Sequence, residues 1–453
     1  MLIHPARLAW SMALALTLPA AAHAQVWRSQ GYGYLLVTNP AKVEVYDVAA
    51  GRCTLSDTVP GLASLGRIEQ RGPDHFVLAG ETTRIGFEKI PALPADCVRT
   101  AARDADPLVN FDALWTIFDE NYAAFAERDV DWREMRSLYR PRVEALGTSG
   151  DPWPIFVEML SRLHDPHVHL VAEARRFQSR KGDAAPIRSR HEALLTYLQG
   201  PESPFAGGVT RLAHDRLAFG MASNGVGYLA VMTMGGFSKG PDGWPGNTTG
   251  AADRAAAREA VAEALGRLKA ARGLILDLRF NPGGSEEIAD LIAGCFADRR
   301  RLAYYRKARD GNSYGPSFAT YAAPNDCPRF DRPVVVLVGE RTTSAAEALV
   351  MRLRVLPQVR TLGQATQGAH SDVLNKTLPN GWKLGLSNEI YTLADGGVYE
   401  GRGIPPAVAT SGPQANDPDS IRYGRDIERA LSMLEQTERL GASFATGPRT
   451  PAL

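Results

Sequence analysis

The sequence predicts an α/β protein, and three observations carry that prediction. First, three short apolar runs, VGYLAVMTM (226–234), GLILDLRF (273–280) and RPVVVLVGE (332–340), are spaced by helical patterns at 251–273 and 285–297. Strands separated by helices argue for a parallel sheet layered with helices. Second, Phe111, Leu114, Trp115, Phe118 and Tyr122 recur at helical spacing. So do Trp132, Met135 and Tyr139, and then Phe156, Met159 and Leu163, which gives three amphipathic helices in succession. Third, the region from Val26 to Cys97 alternates apolar and polar residues between Gly, Pro and Asp turns, the pattern of a small β domain.

Taken in order, residues 1–24 read as a secretory signal peptide: Arg7 precedes a short apolar run that closes on Ala22-His23-Ala24, an Ala-x-Ala cleavage site. A β-rich domain follows over 25–103, with strands in GYGYLLVTN, KVEVYDV, GRIEQR, HFVLAG and TTRIGFEKI, and a helical domain over 104–171. The polar, mixed span 172–224 reads as a linker with one helix near Glu192 to Leu198; its Arg175, Arg176, Arg180 and Lys181 form a solvated basic cluster. The α/β core occupies 225–440. Its later part turns to hairpins, with an Asn-Gly turn at Asn380, before a last helix near Ser420 to Leu440; 441–453 is a Pro- and Ala-rich tail.

Composition narrows the function. The 453 residues are 44% hydrophobic, enough for more than one buried core. Lys, Arg, Asp and Glu nearly cancel at net +1 with no long basic run, so nucleic acid is not an expected partner. No segment after the leader reaches the apolar length of a membrane span, which places the mature chain in the periplasm or outside the cell. In that oxidising setting the four cysteines read as disulfides, and the local pairing Cys53 with Cys97 and Cys295 with Cys327 is the favoured one of three possible pairings.

The chemistry centres on Ser344. It stands where the apolar run 332–340 gives way to a helical pattern, so its hydroxyl lies at the positive end of a helix beside free backbone N–H groups. That setting favours negative charge developing on an attacked carbonyl, although a serine there is also an ordinary N-cap. A serine nucleophile needs a base, and histidine titrates closest to working pH. Three of the nine histidines, His164, His167 and His169, crowd into RLHDPHVHL, with His167 and His169 on one face of an extended segment. Their spacing lacks complementary ligands elsewhere, so no metal and no cofactor is expected. In DLRFNPGGSEE, the adjacent Gly283 and Gly284 let backbone N–H groups approach a ligand without a Cβ in the way.

The blocks LHDPHVHL, GLILDLRFNPGGS, VVVLVGERTTSAAEA, TLGQATQG and LPNGWKLGLSNEIYTLADGGVYEGRGIPPAV, in that order, resemble the tail-specific or C-terminal processing serine peptidases, including their tricorn-like branch. The resemblance implies a crotonase-like α/β core, preceded here by the helical and β domains, and hydrolysis of peptide bonds in extended or unfolded polypeptides through an acyl-enzyme. It implies Ser344 as nucleophile. One branch of the family takes its base from a lysine at the position of Ala369, which excludes a Ser-Lys dyad at that position. The tricorn-like branch implies His167 as base and Glu400 as the carboxylate orienting it, with Gly284 and Ala345 N–H groups as the oxyanion hole and Gly283, Thr343, Thr366 and Gly368 around the substrate. Pro166 stands where that branch carries a serine, and no PDZ-type glycine pattern precedes Val226. Two other readings fit the same residues: a binding protein for apolar ligands, which related retinoid-binding chains suggest, and a hydrolase of small esters. The oligomeric state is left open.

Overall fold

The computed structural model describes residues 24–439, apart from 50, 81, 96, 99–102, 180–185, 206, 239–249, 413–416 and 419; the leader and the tail lie outside the described residues. An eight-stranded sheet comes first. Gln25–Ser29, Tyr34–Thr38, Val43–Ala49 and Arg52–Val59 pair antiparallel in sequence. Arg84–Ile90, His75–Ala79 and Arg67–Gly72 extend the sheet beyond Gln25–Ser29. The alternation that marks these strands is the sided burial of a sheet. Arg52–Val59 breaks it, because five of its eight residues are exposed, and so it carries little sequence signal.

Cys97–Val98 lies parallel to Arg52–Val59 with Cys97 opposite Cys53, and the two form a disulfide; Cys295 and Cys327 form the second. Closing a loop of 44 residues stabilises by about 4 kcal/mol in the chain-entropy model. Reduction with a thiol is therefore expected to lower the denaturant midpoint markedly, and an unchanged urea melt under reducing conditions would contradict it.

The three helices are Pro107–Asn121, Trp132–Glu144 and Trp153–Ser161. Asp106 caps the first, its carboxylate accepting from Leu108 and Val109 N–H ahead of Pro107, and Asp131 caps the second in the same way. Their aromatic faces pack as the periodicity requires: Phe111, Phe118, Trp132 and Phe156 share one core with Leu170, Leu384 and Leu386.

The span from 172 to 224 is more ordered than its polar mixture predicts. It holds Arg175–Gln178, a helix at Ile187–Gln199 longer than expected, and the strands Thr210–Leu212 and Leu217–Met221. The last two form the edge of the seven-stranded core sheet, which continues through Gly227–Val231, Leu274–Asp277, Val334–Val338, Val359–Gly363 and Val408–Ala409. From Gly227–Val231 onward the strands are parallel. Val334–Val338 explains the unbroken apolar runs. Val334, Val336 and Val338 face a core shared with helices Ala251–Arg267, Glu286–Gly294 and Ala345–Leu353, whereas Val335 and Leu337 face the core of helices Ile187–Gln199 and Arg425–Arg439. A strand covered on both faces has no polar side to show.

A smaller sheet joins the helical region to this core. Val373–Thr377 and Lys383–Ser387 form the hairpin around Asn380-Gly381, and His169–Ala172 adds to Lys383–Ser387 with His169 opposite Gly385. The hairpin also holds the first sheet, since the fully buried Lys376 ammonium donates to Tyr32 O at 2.7 Å, Gly33 O at 2.9 Å and Asp47 Oδ1 at 2.5 Å. No helix among the described residues is long and apolar enough to cross a membrane.

Candidate active site

Three parallel strands end together, and the turns at their C-terminal ends build the site, which is where open α/β sheets collect functional groups. Leu274–Asp277 leads to Gly283-Gly284, Val334–Val338 to Ser344, and Val359–Gly363 to the segment Thr366–Ser371.

Ser344 has φ +58° and ψ −125°, the first central position of a type II′ turn, a conformation dominated by glycine. A serine held there carries strain of about 1–3 kcal/mol, which the surroundings must overdetermine. They do so through backbone bonds. Ser344 N–H donates to Ala369 O at 3.0 Å and to Glu347 Oε2 at 3.1 Å, and Thr343 N–H donates to Asn281 O at 3.0 Å. Gly283 presses on the turn so closely that an added Cβ would sit 2.7 Å from the Ser344 Cβ and 3.0 Å from Ala345 N. Gly283 N–H is taken by Asn281 Oδ1 at 2.9 Å, and its carbonyl accepts from Met234 N–H and the Thr233 hydroxyl. Among the described residues the Gly284 and Ala345 N–H groups have no protein acceptor.

Thr366 and Gly368 spend their polar groups on support. The Thr366 hydroxyl and the Gly368 N–H both donate to Glu347 Oε1, at 2.5 and 2.9 Å, and Ala369 N–H donates to Oε2 at 2.9 Å. Glu347 is thus a fully buried carboxylate serving four donors around the serine turn. Its spacing, three residues after Ser344, is that of a capping box, and this was the sequence signal that could have found it.

His167 lies in the turn before His169–Ala172, 8% exposed, with its N–H on Asp165 Oδ1. Its ring Nδ1 is 3.3 Å from the Ser387 hydroxyl, across the register that sets His169 against Gly385. His169 turns its own Nδ1 to His167 O, and burial lowers its pKa; His164 is exposed at φ +49°. Among the described residues no hydrogen bond joins His167 to Ser344 or to Glu400.

The expected bond from Glu400 to His167 is replaced. The Glu400 carboxylate accepts from His370 N–H at 2.9 Å, lies 3.2 Å from His370 Nδ1, and pairs with Arg128 at 2.9 Å. The reason is register: Glu400 approaches from the side of the Thr366–Ser371 segment, whereas the Lys383–Ser387 strand brings Ser387 to the imidazole. Burial raises the Glu400 carboxyl pKa, but the hydrogen bond and charge of His370, with Arg128, outweigh it and hold it down at about 2. Arg128 ties the two halves together. Its guanidinium donates to Gly368 O and His164 O, both at 2.8 Å, and stands 3.5 Å from Asp165. Arg128 carried no sequence signal, and His370 was hidden beside Ala369, the position that excludes a lysine.

Residues 225–410 match the model of Peptidase family S41, and residues 103–161 match the Tricorn protease C1 domain. The carboxy-terminal processing protease CtpA of Bacillus subtilis (strain 168) is 31% identical over 140 residues, 31% of this chain and 29% of that relative. The chain therefore spans less than a third of that relative's length. A crystal structure of a candidate peptidase from Parabacteroides merdae ATCC 43184 is 28% identical with a TM-score of 0.57, covering 73% of this chain and 96% of that one. Mature CPAF complexed with lactacystin shares the fold at a TM-score of 0.52 and 12% identity, over 74% of this chain and 98% of that one. Over its core, therefore, the chain is similar to peptidase family S41 and to carboxy-terminal processing proteases, and it shares their fold.

Proposed function

We propose that this chain is a periplasmic or secreted serine endopeptidase acting on extended or unfolded polypeptides, on a crotonase-like core. The observation that carries the reading is the Ser344 turn: a strained serine between a buried strand and a helix, faced by two N–H groups without acceptors among the described residues. Ser344 Oγ attacks the scissile carbonyl carbon as His167 takes its proton, and Gly284 and Ala345 N–H groups receive the oxyanion. The imidazolium then protonates the leaving amine. Water, deprotonated by the same histidine, releases the acyl group from Ser344 and restores the enzyme. Ser387 on Nδ1 fixes the ring's tautomer, the task expected of Glu400, so that Nε2 is left for the serine proton. Hydrogen bonds of this kind draw tight when substrate fills the cleft. Gly283 and Thr343 flank the substrate, while Thr366 and Gly368 act through Glu347. The two disulfides and the leader sequence support an extracytoplasmic location.

His167→Ala is expected to lower kcat on unfolded casein by roughly 10²- to 10⁴-fold. Wild-type turnover in that variant would eliminate His167 as the base. A serine-reactive phosphonate followed by peptide mapping tests the nucleophile itself, with Ser344 as the expected adduct. Turnover of small esters without any peptide cleavage would assign the same machinery to esters.

A further inference from the structure

His370 takes no part in the chemistry just described, yet among the described residues it is the histidine most committed to ion pairs. It is 4% exposed. Its Nδ1 bonds Glu400 Oε2 at 3.2 Å, and its buried Nε2, which makes no hydrogen bond, lies 3.4 Å from Glu347 Oε1, so each ring nitrogen has a different buried carboxylate beside it. A neutral imidazole carries one N–H and would turn a lone pair on one of the two; only the imidazolium presents N–H to both. The charge count points the same way. Asp165, Glu347 and Glu400 are all buried, and Arg128 is the cation paired with two of them, so one more positive charge relieves an excess that burial makes costly.

We propose that His370 is a positioning residue, held as an imidazolium between Glu347 and Glu400, and that the chain Glu347–His370–Glu400–Arg128 keeps the Ser344 turn aligned with the turn carrying His167. The proposal rests on the Ser344 nucleophile proposed above. Glu347 comes from the helix behind the serine, Glu400 from the loop before Gly401, and Arg128 from the segment after the first helix of the helical region. Burial lowers the His370 pKa, but the Glu347 charge and the bond and charge of Glu400 raise it above the ordinary value, against Arg128. A pKa raised in the folded state gives stability that is complete below about pH 6.5 and lost as pH rises through the folded value. Activity should then have an alkaline limb due to His370, opposite in sign to the acid limb of a base such as His167.

The test is His370→Gln, with kcat and KM measured on an unfolded-casein peptide from about pH 5.5 to about pH 9.5, a span that brackets histidine titration. The expected result is a fall in kcat of roughly 100-fold at neutral pH with KM little changed, and loss of the alkaline limb. Wild-type kcat with the limb intact overturns the proposal. Glu347→Gln, which keeps the side chain's shape, guards against a misfolded first variant: it should move the limb to lower pH, and an unmoved limb counts against the clamp. The wild-type unfolding midpoint over the same range needs no turnover. It should decline on the alkaline side whether or not Ser344 is the nucleophile, whereas a flat midpoint refutes the imidazolium and leaves the nucleophile reading standing.

Discussion

Ser344→Ala is expected to abolish phosphonate labelling and to cut peptide turnover by at least about 10⁴-fold, while leaving the fold intact. Both halves follow from the same turn. The hydroxyl is the proposed attacking group, but the turn is fixed by the backbone: Ser344 N–H to Ala369 O and Glu347, and Thr343 N–H to Asn281 O. Alanine keeps those bonds and also keeps the strain of a Cβ at φ +58°. Glycine would release it. Ser344→Gly should therefore be as inactive as Ser344→Ala yet more stable by about 1–3 kcal/mol, less the entropy that glycine loses on folding. Urea melts of the two variants side by side decide this, and an alanine variant more stable than the glycine one by glycine's entropy cost, about 0.5–1 kcal/mol, would mean that the turn stores no strain. Retained labelling in either variant would move the nucleophile elsewhere.

Gly283→Ala should be the most damaging change that alters no reactive group. Its φ of +92° is a glycine conformation, and the new Cβ would meet the Ser344 Cβ and Thr343 O, each at 2.7 Å. The atoms in the way are backbone and the Cβ of Ser344, so relief requires the serine turn to back away. Turnover should fall by more than about 100-fold, because the proposed oxyanion donors, once displaced, lose most of their effect, and stability should drop by about 2–3 kcal/mol. Rates of phosphonate labelling against urea midpoints separate the two effects. A variant that labels at the wild-type rate would show that the glycine is not packed against the Ser344 turn.

Several features were legible because the sequence encodes them locally. An apolar run, a turn and a helical pattern place Ser344 at a strand-to-helix junction whatever surrounds it. Adjacent glycines announce a close approach, and four cysteines at short spacings pair with their neighbours. Less was legible where burial is uneven: Arg52–Val59 is mostly exposed, and the edge strands Thr210–Leu212 and Leu217–Met221 lie in a polar stretch with no strong period.

The histidines and carboxylates divide along the same line. The sequence by itself determined the α/β layering, the strand-to-helix junction that holds Ser344 and the supply of candidate bases. Tertiary structure alone decided that Ser387, 220 residues away, meets His167, and that Glu400 meets Arg128 and His370. Such pairings depend on strand order and register, and a shift of one residue in a strand turns every side chain to the opposite face. Periodicity reports which face of an element is buried, and only the assembled sheets fix what that face touches.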